Sequence, residues 1–357
     1  MNKVTDKITL KSLALKNRIM RSAVHSFLGN TDGTISEAEY DMYKKLAQNN
    51  IGMIVTGHVS ISPMGMANEE QTAIYDDKFI PQFTKLKNIV EPYGAKIIVQ
   101  INHAGPRAIH NNDLAGVMER DLKKGKHCRA LTIEDISKIK NQFITGAKRL
   151  AQAGVDGVQL HAAHSYLISQ FLDPTFNQRN DIYGGNVKNR FRLLKEIIIG
   201  IKAECPTELP LFVKVNNDTA TDNEQYEADM IYILRECAKL GVAAVELSGY
   251  DFLSEPKSNH NYYLERASRL KKAVPDLPII LVGGIRSLAD MEAVLAEGID
   301  IVSLGRPLIS EPDLITRLLG ESTLSARCVS CNRCFAIPKI QPGIRCVFNR
   351  NKPQKHQ

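Results

Sequence analysis

Residues 279–310 read IILVGGIRSLADMEAVLAEGIDIVSLGRPLIS. Ile279 to Val282 is a short, wholly apolar run that ends in Gly283-Gly284, and Ile301 to Leu304 is a second that ends in Gly305-Arg306. An apolar run without alternation is the mark of a strand buried on both faces. Between the two runs, Leu288 to Glu297 carries helical spacing, and Gly298 stands where a helix C-cap wants glycine. Strand, helix and strand in this order make a parallel crossover unit.

The same unit can be followed back along the chain. Further strands are expected at Arg18 to Ser22, Met53 to Val59, Lys96 to Ile101, Gly157 to His161, Leu211 to Asn216 and Ala243 to Ser248. Helices are expected at Glu37 to Asn49, Ile133 to Ala153, Arg190 to Glu204 and Glu224 to Leu240, with Gly52, Gly154 and Gly241 after three of them. About eight such units with no change of composition predict an α/β fold of the closed (β/α)8 TIM-barrel kind rather than a doubly wound sheet. No G-x-G-x-x-G follows any strand, which weakens a dinucleotide-binding sheet further. The barrel is expected over residues 1–322, followed by a cysteine-rich extension over 323–357. His103 to Leu131 is too long for a routine connection and reads as a lid or substrate loop. Asn349 to Gln357 reads as a polar, frayed end.

The chain has 357 residues, 24% charged and 43% hydrophobic, with a net charge of +7. That excludes disordered, collagen-like and low-complexity chains. No run approaches the length of a membrane span, and the N-terminus has no signal-peptide core, so a cytoplasmic protein with no membrane partner is expected. The surplus charge is scattered, which argues for a solvated basic surface and against nucleic acid, while an anionic cofactor fits equally well. Of the seven Cys, Cys128, Cys205 and Cys237 are isolated, but Cys328, Cys331, Cys334 and Cys346 form a C-x2-C-x2-C-x11-C pattern typical of thiolate ligation of a metal or cluster.

In a barrel the reactive surface lies at the C-terminal ends of the strands. Here those ends are polar: Ser22-Ala23-Val24-His25, Thr56-Gly57-His58, Gln100, His161 to Tyr166, Lys214-Val-Asn216, Ser248, Gly283-Gly284 and Gly305-Arg306. The glycines after strands seven and eight, with Arg306, favour a phosphate held by backbone N–H groups; tight βα turns alone would be the plainer explanation. His161, His164 and Tyr166 cluster after strand four. If the chain turns helical there, both imidazoles share a face and can polarise one carbonyl while the phenol delivers a proton. A zinc site would want a third ligand, and a structural histidine pair is the other alternative. Gln100 and Lys214 suit a planar polar ring that takes negative charge.

Taken together, NRIMRSA (17–23), GMIVTG (52–57), IVQINHAG (98–105), the segment AGVDGVQLHAAHSYLISQFLDPTFNQRNDIYGG (153–185), FVKVN (212–216), VGGI and SLGRP come in the order and spacing of the old yellow enzyme family, which this chain resembles over nearly its whole length. The resemblance implies an FMN-dependent NAD(P)H oxidoreductase, an ene reductase. It implies that the flavin ring is held by Ser22, Ala23, Val24, Gly57, Gln100 and Lys214, with His25 beside it, and the phosphate by Gly283, Gly284, Gly305 and Arg306. It further implies that His161 and His164 bind the activating oxygen of an enone or enoyl substrate and that Tyr166 is the proton donor. The cycle would be ping-pong, NAD(P)H reducing the flavin before the C=C bond is reduced. Two departures stand out. Ala23-Val24-His25 occupies the place where many members have Pro-Met followed by Cys or Thr, and Lys214 stands where many have Arg, keeping the charge but not the fork. The four late Cys resemble those of the branch containing 2,4-dienoyl-CoA reductase and trimethylamine dehydrogenase. That implies a 4Fe-4S cluster, with zinc or reduced thiols as alternatives. The other reading that follows is an amine-type dehydrogenase passing electrons to a separate partner protein. A non-redox phosphate-binding barrel leaves Gln100 and the His161–Tyr166 segment unexplained. A homo-oligomer is compatible with the sequence.

Overall fold

The computed structural model describes residues 2–109, 113–122, 125–218, 224–255, 257–321 and 323–349. The expected polar end therefore lies outside the described residues from 350 onward, as do parts of the expected lid. Eight parallel strands close on themselves: β1 (Ile19–Arg21), β2 (Met53–Val55), β3 (Lys96–Asn102), β4 (Gly157–Ala162), β5 (Leu211–Asn216), β6 (Ala244–Ser248), β7 (Ile279–Val282) and β8 (Ile301–Leu304). Closure is made by β8 pairing with β1, Val302 opposite Ile19, while β3 pairs with β4 to complete the ring. The expected (β/α)8 barrel is what forms.

Among the described residues, eight helices of seven residues or more surround it: α1 (Glu37–Ala47), α2 (Ile80–Val90), α3 (Ile133–Gln152), α4 (Arg192–Glu204), α5 (Glu224–Lys239), α6 (Leu264–Ala273), α7 (Leu288–Ala296) and α8 (Leu314–Gly320). Their sequences explain where they begin and which face they bury. Thr132 and Asp135 form a capping box at the start of α3, and Ser287 and Asp290 form one at α7. Along α3, Ile136, Ile139, Phe143, Ala147 and Leu150 recur every three or four residues and are all buried against the barrel. An antiparallel hairpin, Ile8–Leu10 with Leu13–Leu15, packs its Leu side chains on Met20, Met53, Ile98, Phe212 and Ile301, so the N-terminal end of the barrel is plugged and dry. The strands' C-terminal ends are left as the end for chemistry.

Two local expectations change. The second strand stops at Val55 rather than running to Val59. Thr56 to His58 leave the ladder for the barrel mouth before Val59–Ser60 pairs beside β3. The His103–Leu131 segment carries a small sheet in which Ala115–Gly116 runs parallel to His127–Ala130 and Arg120–Asp121 antiparallel to it.

Residues 323–349 are stitched over the mouth. Gly343 and Ile344 donate their N–H groups to the carbonyls of Phe27 and Ser26, and Ala326 donates to Arg286. Glu311, its side chain fully buried, holds Arg317 and Arg327. Among the described residues no helix is long and apolar enough to cross a membrane.

Candidate active site

A cavity of about 550 Å³ opens at the C-terminal ends of the strands, within the range of small-molecule and cofactor sites. Ser22, Ala23, Val24, His25, Gln100, His161, His164, Tyr166, Lys214, Gly283, Gly284, Gly305 and Arg306 all line it. Gly57 does not. It lies behind the wall, where a Cβ would meet the Val24 carbonyl at 3.1 Å, and its N–H donates to the Tyr43 hydroxyl at 2.9 Å. Its neighbour His58 takes the place on the cavity surface. None of the described residues of 113–131 lines the cavity.

The floor is a buried polar chain. Gln100 Nε2 donates to Gln159 Oε1 at 2.7 Å, and Gln159 Nε2 donates to Glu246 Oε2 at 3.0 Å. Glu246, with no exposed surface, also accepts from Ser22 at 2.6 Å, Ser303 at 3.1 Å and Lys214 at 3.2 Å. Lys214 Nζ donates to Ser22 Oγ at 2.8 Å as well. Burial pulls the Lys214 ammonium below its ordinary value, and the Glu246 carboxylate works against that. The result is a fixed cation and a fixed amide presented to whatever lies on the floor.

His161 sits inside β4, but the chain beyond it is not helical. His164 and Ser165 both take left-handed backbone, with φ of 59° and 57°, and only Leu167–Leu172 is helical. That pair of unusual conformations, each costing about 1 to 2 kcal/mol outside glycine, folds His164 back toward His161. Their ring centroids stand 5.2 Å apart, edge to face. Asn216 accepts the His164 backbone N–H at 2.9 Å, and Ser248 Oγ lies 2.9 Å from its Nε2, so β5 and β6 lock the turn. Burial holds both imidazoles well below the ordinary histidine range, with the Lys214 and Arg107 charges contributing to both and His164 to His161, so both are neutral. Tyr166 lies 4.8 Å from the His161 ring and 5.2 Å from that of His58, and burial raises its phenol, keeping it protonated.

The other end of the cavity is built for an anion. Gly283 and Gly284 have φ of 141° and 72°, and a Cβ on Gly284 would come within 2.8 Å of the Asn261 backbone nitrogen. Arg306 is held by Tyr262, 3.0 Å away, and by Asn332, while Arg286 reaches Ser330 at 3.0 Å. The residue set fits a planar flavin mononucleotide. Gln100 and Lys214 would face the polar edge of the ring and Ala23–Val24 its plane, with the glycines and Arg306 at the phosphate.

The metal expectation is not supported. Among the described residues no group of three or more His, Cys, Asp or Glu side chains is placed to hold a metal ion. Cys328, Cys331, Cys334 and Cys346 do line one cavity, of about 20 Å³. Burial raises the thiols of Cys328 and of Cys334, the latter to about 11.

The sequence named His58 among the polar strand ends without a role, and Gln159, Glu246, Arg286 and Tyr262 went unremarked. For two of them a signal was present: Gln159 and Glu246 interrupt otherwise apolar strands, GVQLHA and AVELS, and a buried polar residue at such a place needs partners.

Comparison with known proteins agrees with this geometry. The sequence model of the NADH:flavin oxidoreductase / NADH oxidase family matches residues 6–323. An NADH oxidase of Thermoanaerobacter brockii is 32% identical over 335 residues, 90% of this chain but 51% of that protein, so this chain spans about half of that relative. An NADPH dehydrogenase of Bacillus subtilis is 30% identical over 315 residues, 87% of this chain and 92% of that one. The solved structure of the old yellow enzyme homologue from Zymomonas mobilis superposes with a TM-score of 0.78 at 23% identity, covering 92% of this chain and 96% of its own, which shows the fold.

Proposed function

Given that the chain belongs to the NADH:flavin oxidoreductase / NADH oxidase family, as an NAD(P)H flavin oxidoreductase of the old yellow enzyme type, we propose that it reduces the C=C bond of an α,β-unsaturated carbonyl or enoyl substrate in a ping-pong cycle. The observation that carries the reading is the convergence of two neutral imidazoles and one protonated phenol on a single cavity.

Bound FMN supplies hydride transfer between the nicotinamide and the substrate. The chain's own residues do the rest. The Ala163 N–H faces His161 Nδ1 at 3.4 Å, which leaves Nε2–H free to donate into the cavity. His161 and His164 together polarise the substrate oxygen, which makes the β carbon electron-poor and the α carbon basic once hydride has arrived. Tyr166 gives its proton to that α carbon. Lys214 and Gln100 hold the flavin edge, and Gly283, Gly284, Gly305 and Arg306 its phosphate. The barrel forms the catalytic unit, and the described residues 323–349 close its mouth. All seven Cys are free thiols, which supports a cytoplasmic setting.

The test is stopped-flow on FMN-reconstituted chain. NADPH or NADH should bleach the flavin absorbance, and 2-cyclohexen-1-one should restore it. In Tyr166→Phe the second step should slow by about 10² to 10⁴-fold, the usual worth of a positioned proton donor. Unimpaired reoxidation by the enone in that variant would remove Tyr166 from the mechanism, and a chain that takes up no FMN would remove the reading altogether.

A further inference from the structure

His58 is buried at the cavity wall with Nε2 3.3 Å from the Tyr166 hydroxyl and Nδ1 2.7 Å from Gln71 Nε2. Which nitrogen carries the proton follows from the next contact out. Gln71, fully buried, receives the Ala67 backbone N–H on its Oε1 at 2.6 Å. A backbone N–H can only donate, so that oxygen is the acceptor and the amide orientation is fixed. Gln71 Nε2 must then donate, both to His58 Nδ1 and to the His58 carbonyl at 3.1 Å. Nδ1 is therefore the bare nitrogen and Nε2 carries the hydrogen. Burial keeps the ring from holding a second proton.

From this chain of contacts we infer that His58, set in its Nε2–H tautomer by Gln71, is a positioning residue that donates to the Tyr166 oxygen and stabilises the phenolate formed when Tyr166 gives up its proton. The inference rests on the reading of Tyr166 as proton donor. With the Tyr166 oxygen accepting from His58, its own hydrogen is turned away from the wall and toward the cavity. As the substrate is protonated, the Tyr166 O–H bond breaks and a C–H bond forms at the α carbon. The electron pair left on oxygen then faces the His58 N–H, as an oxyanion faces its donor, and water returns the proton once the product leaves. The His25 ring, stacked 4.8 Å from that of His58, fixes the plane in which this donor points.

Two measurements test this. The first needs no turnover: ¹⁵N spectra of the full holo chain labelled at histidine, with the His58 ring signals assigned by their loss in His58→Gln. The expected result is the neutral Nε2–H tautomer in the parent and in Tyr166→Phe, shifting toward Nδ1–H in Gln71→Leu. A parent His58 that is charged, or protonated at Nδ1, overturns the inference whatever Tyr166 does.

The second compares enone-dependent flavin reoxidation with NAD(P)H-dependent reduction in each variant. His58→Phe should lose about 10 to 100-fold more in the first than in the second, the order expected for one lost donor to a developing oxyanion, with a larger solvent deuterium effect. His58→Gln, which can offer an amide N–H from a similar position, should recover most of the loss. Equal losses in both halves, or His58→Gln no better than His58→Phe, overturn it. Failure of the parent reading is seen separately, as full enone reactivity in Tyr166→Phe.

Discussion

Replacing Glu246 with Gln should be among the most damaging single changes at the floor of the cavity, and its cost can be worked from the contacts. The carboxylate is fully buried and faces the Lys214 ammonium at 3.2 Å, while Lys214 is itself 2% exposed. At an effective dielectric of about 20, opposite charges at that separation attract by about 5 kcal/mol, and breaking a buried pair from one side costs about 3–5 kcal/mol in practice. The two partners are not equally dependent on each other. Without Lys214, Glu246 keeps donors from Ser22, Ser303 and Gln159; without Glu246, Lys214 keeps only Ser22 among these contacts. Glu246→Gln should therefore cost about 3–5 kcal/mol, and Lys214→Met less, about 1.5–3 kcal/mol. The double variant should recover at least about 2 kcal/mol of their sum, because no unpaired charge remains.

The pH dependence has a definite sign. The folded Lys214 already sits below its ordinary 10.5, and loss of the carboxylate lowers it further. Between that lowered value and 10.5 the unfolded chain binds the extra proton, so the stability of Glu246→Gln should climb with pH over a wider window than that of the parent. Guanidinium unfolding of the full chain, followed by circular dichroism at several pH values, measures all of this. A cost under about 1 kcal/mol for Glu246→Gln, or a double variant whose cost is the full sum of the two single ones, would refute the reasoning.

Other outcomes follow from single contacts. Gly284→Ala puts a side chain at φ 72° and 2.8 Å from the Asn261 nitrogen, so it should lose about 1 to 2 kcal/mol from the left-handed backbone alone and retain less FMN through gel filtration; full flavin content would count against the phosphate assignment. Five histidines, the buried His58, His103 and His161 and the half-buried His25 and His164, are held below their ordinary 6.5, His25 and His103 at about 4. The unfolded chain takes up their protons first, so stability should fall as pH drops below 6.5, by at most about 7 kcal/mol per pH unit if all five respond together. Each single His→Gln variant should remove about one proton from the slope of denaturation midpoint against pH, and a slope that none of the five changes would contradict the burial argument.

The fold was legible because each barrel unit repeats its own evidence. Ile279–Val282 and Ile301–Leu304 form the strands that their unbroken apolar runs predict, and Ser287 with Asp290 starts the helix between them. Where the reading slipped, a neighbour the sequence does not announce had intervened. Met53 to Val59 is apolar enough for one strand, yet Gly57 lies where a Cβ would meet the Val24 carbonyl at 3.1 Å, and the chain leaves the ladder there to deliver His58 to the cavity.

The site divides along the same line. Side chains that end strands, such as Gln100, Lys214 and His161, can be placed from sequence because barrel geometry sends every strand end to one face. What holds them cannot. Glu246 lies 32 positions from Lys214 and 224 from Ser22, so no spacing links the three, although a carboxylate in the middle of AVELS could not be buried without such partners. His164 is the harder case. Its approach to His161 depends on two consecutive left-handed residues, neither of them glycine, stabilised by Asn216 and Ser248 from other strands. Local propensity argues against that turn at both positions, so tertiary contacts must impose it. A histidine pair held in a conformation that its own sequence disfavours, with each ring kept neutral by burial, is organised at a cost in stability, and the proposed function accounts for that cost by having the pair present two donors to one oxygen.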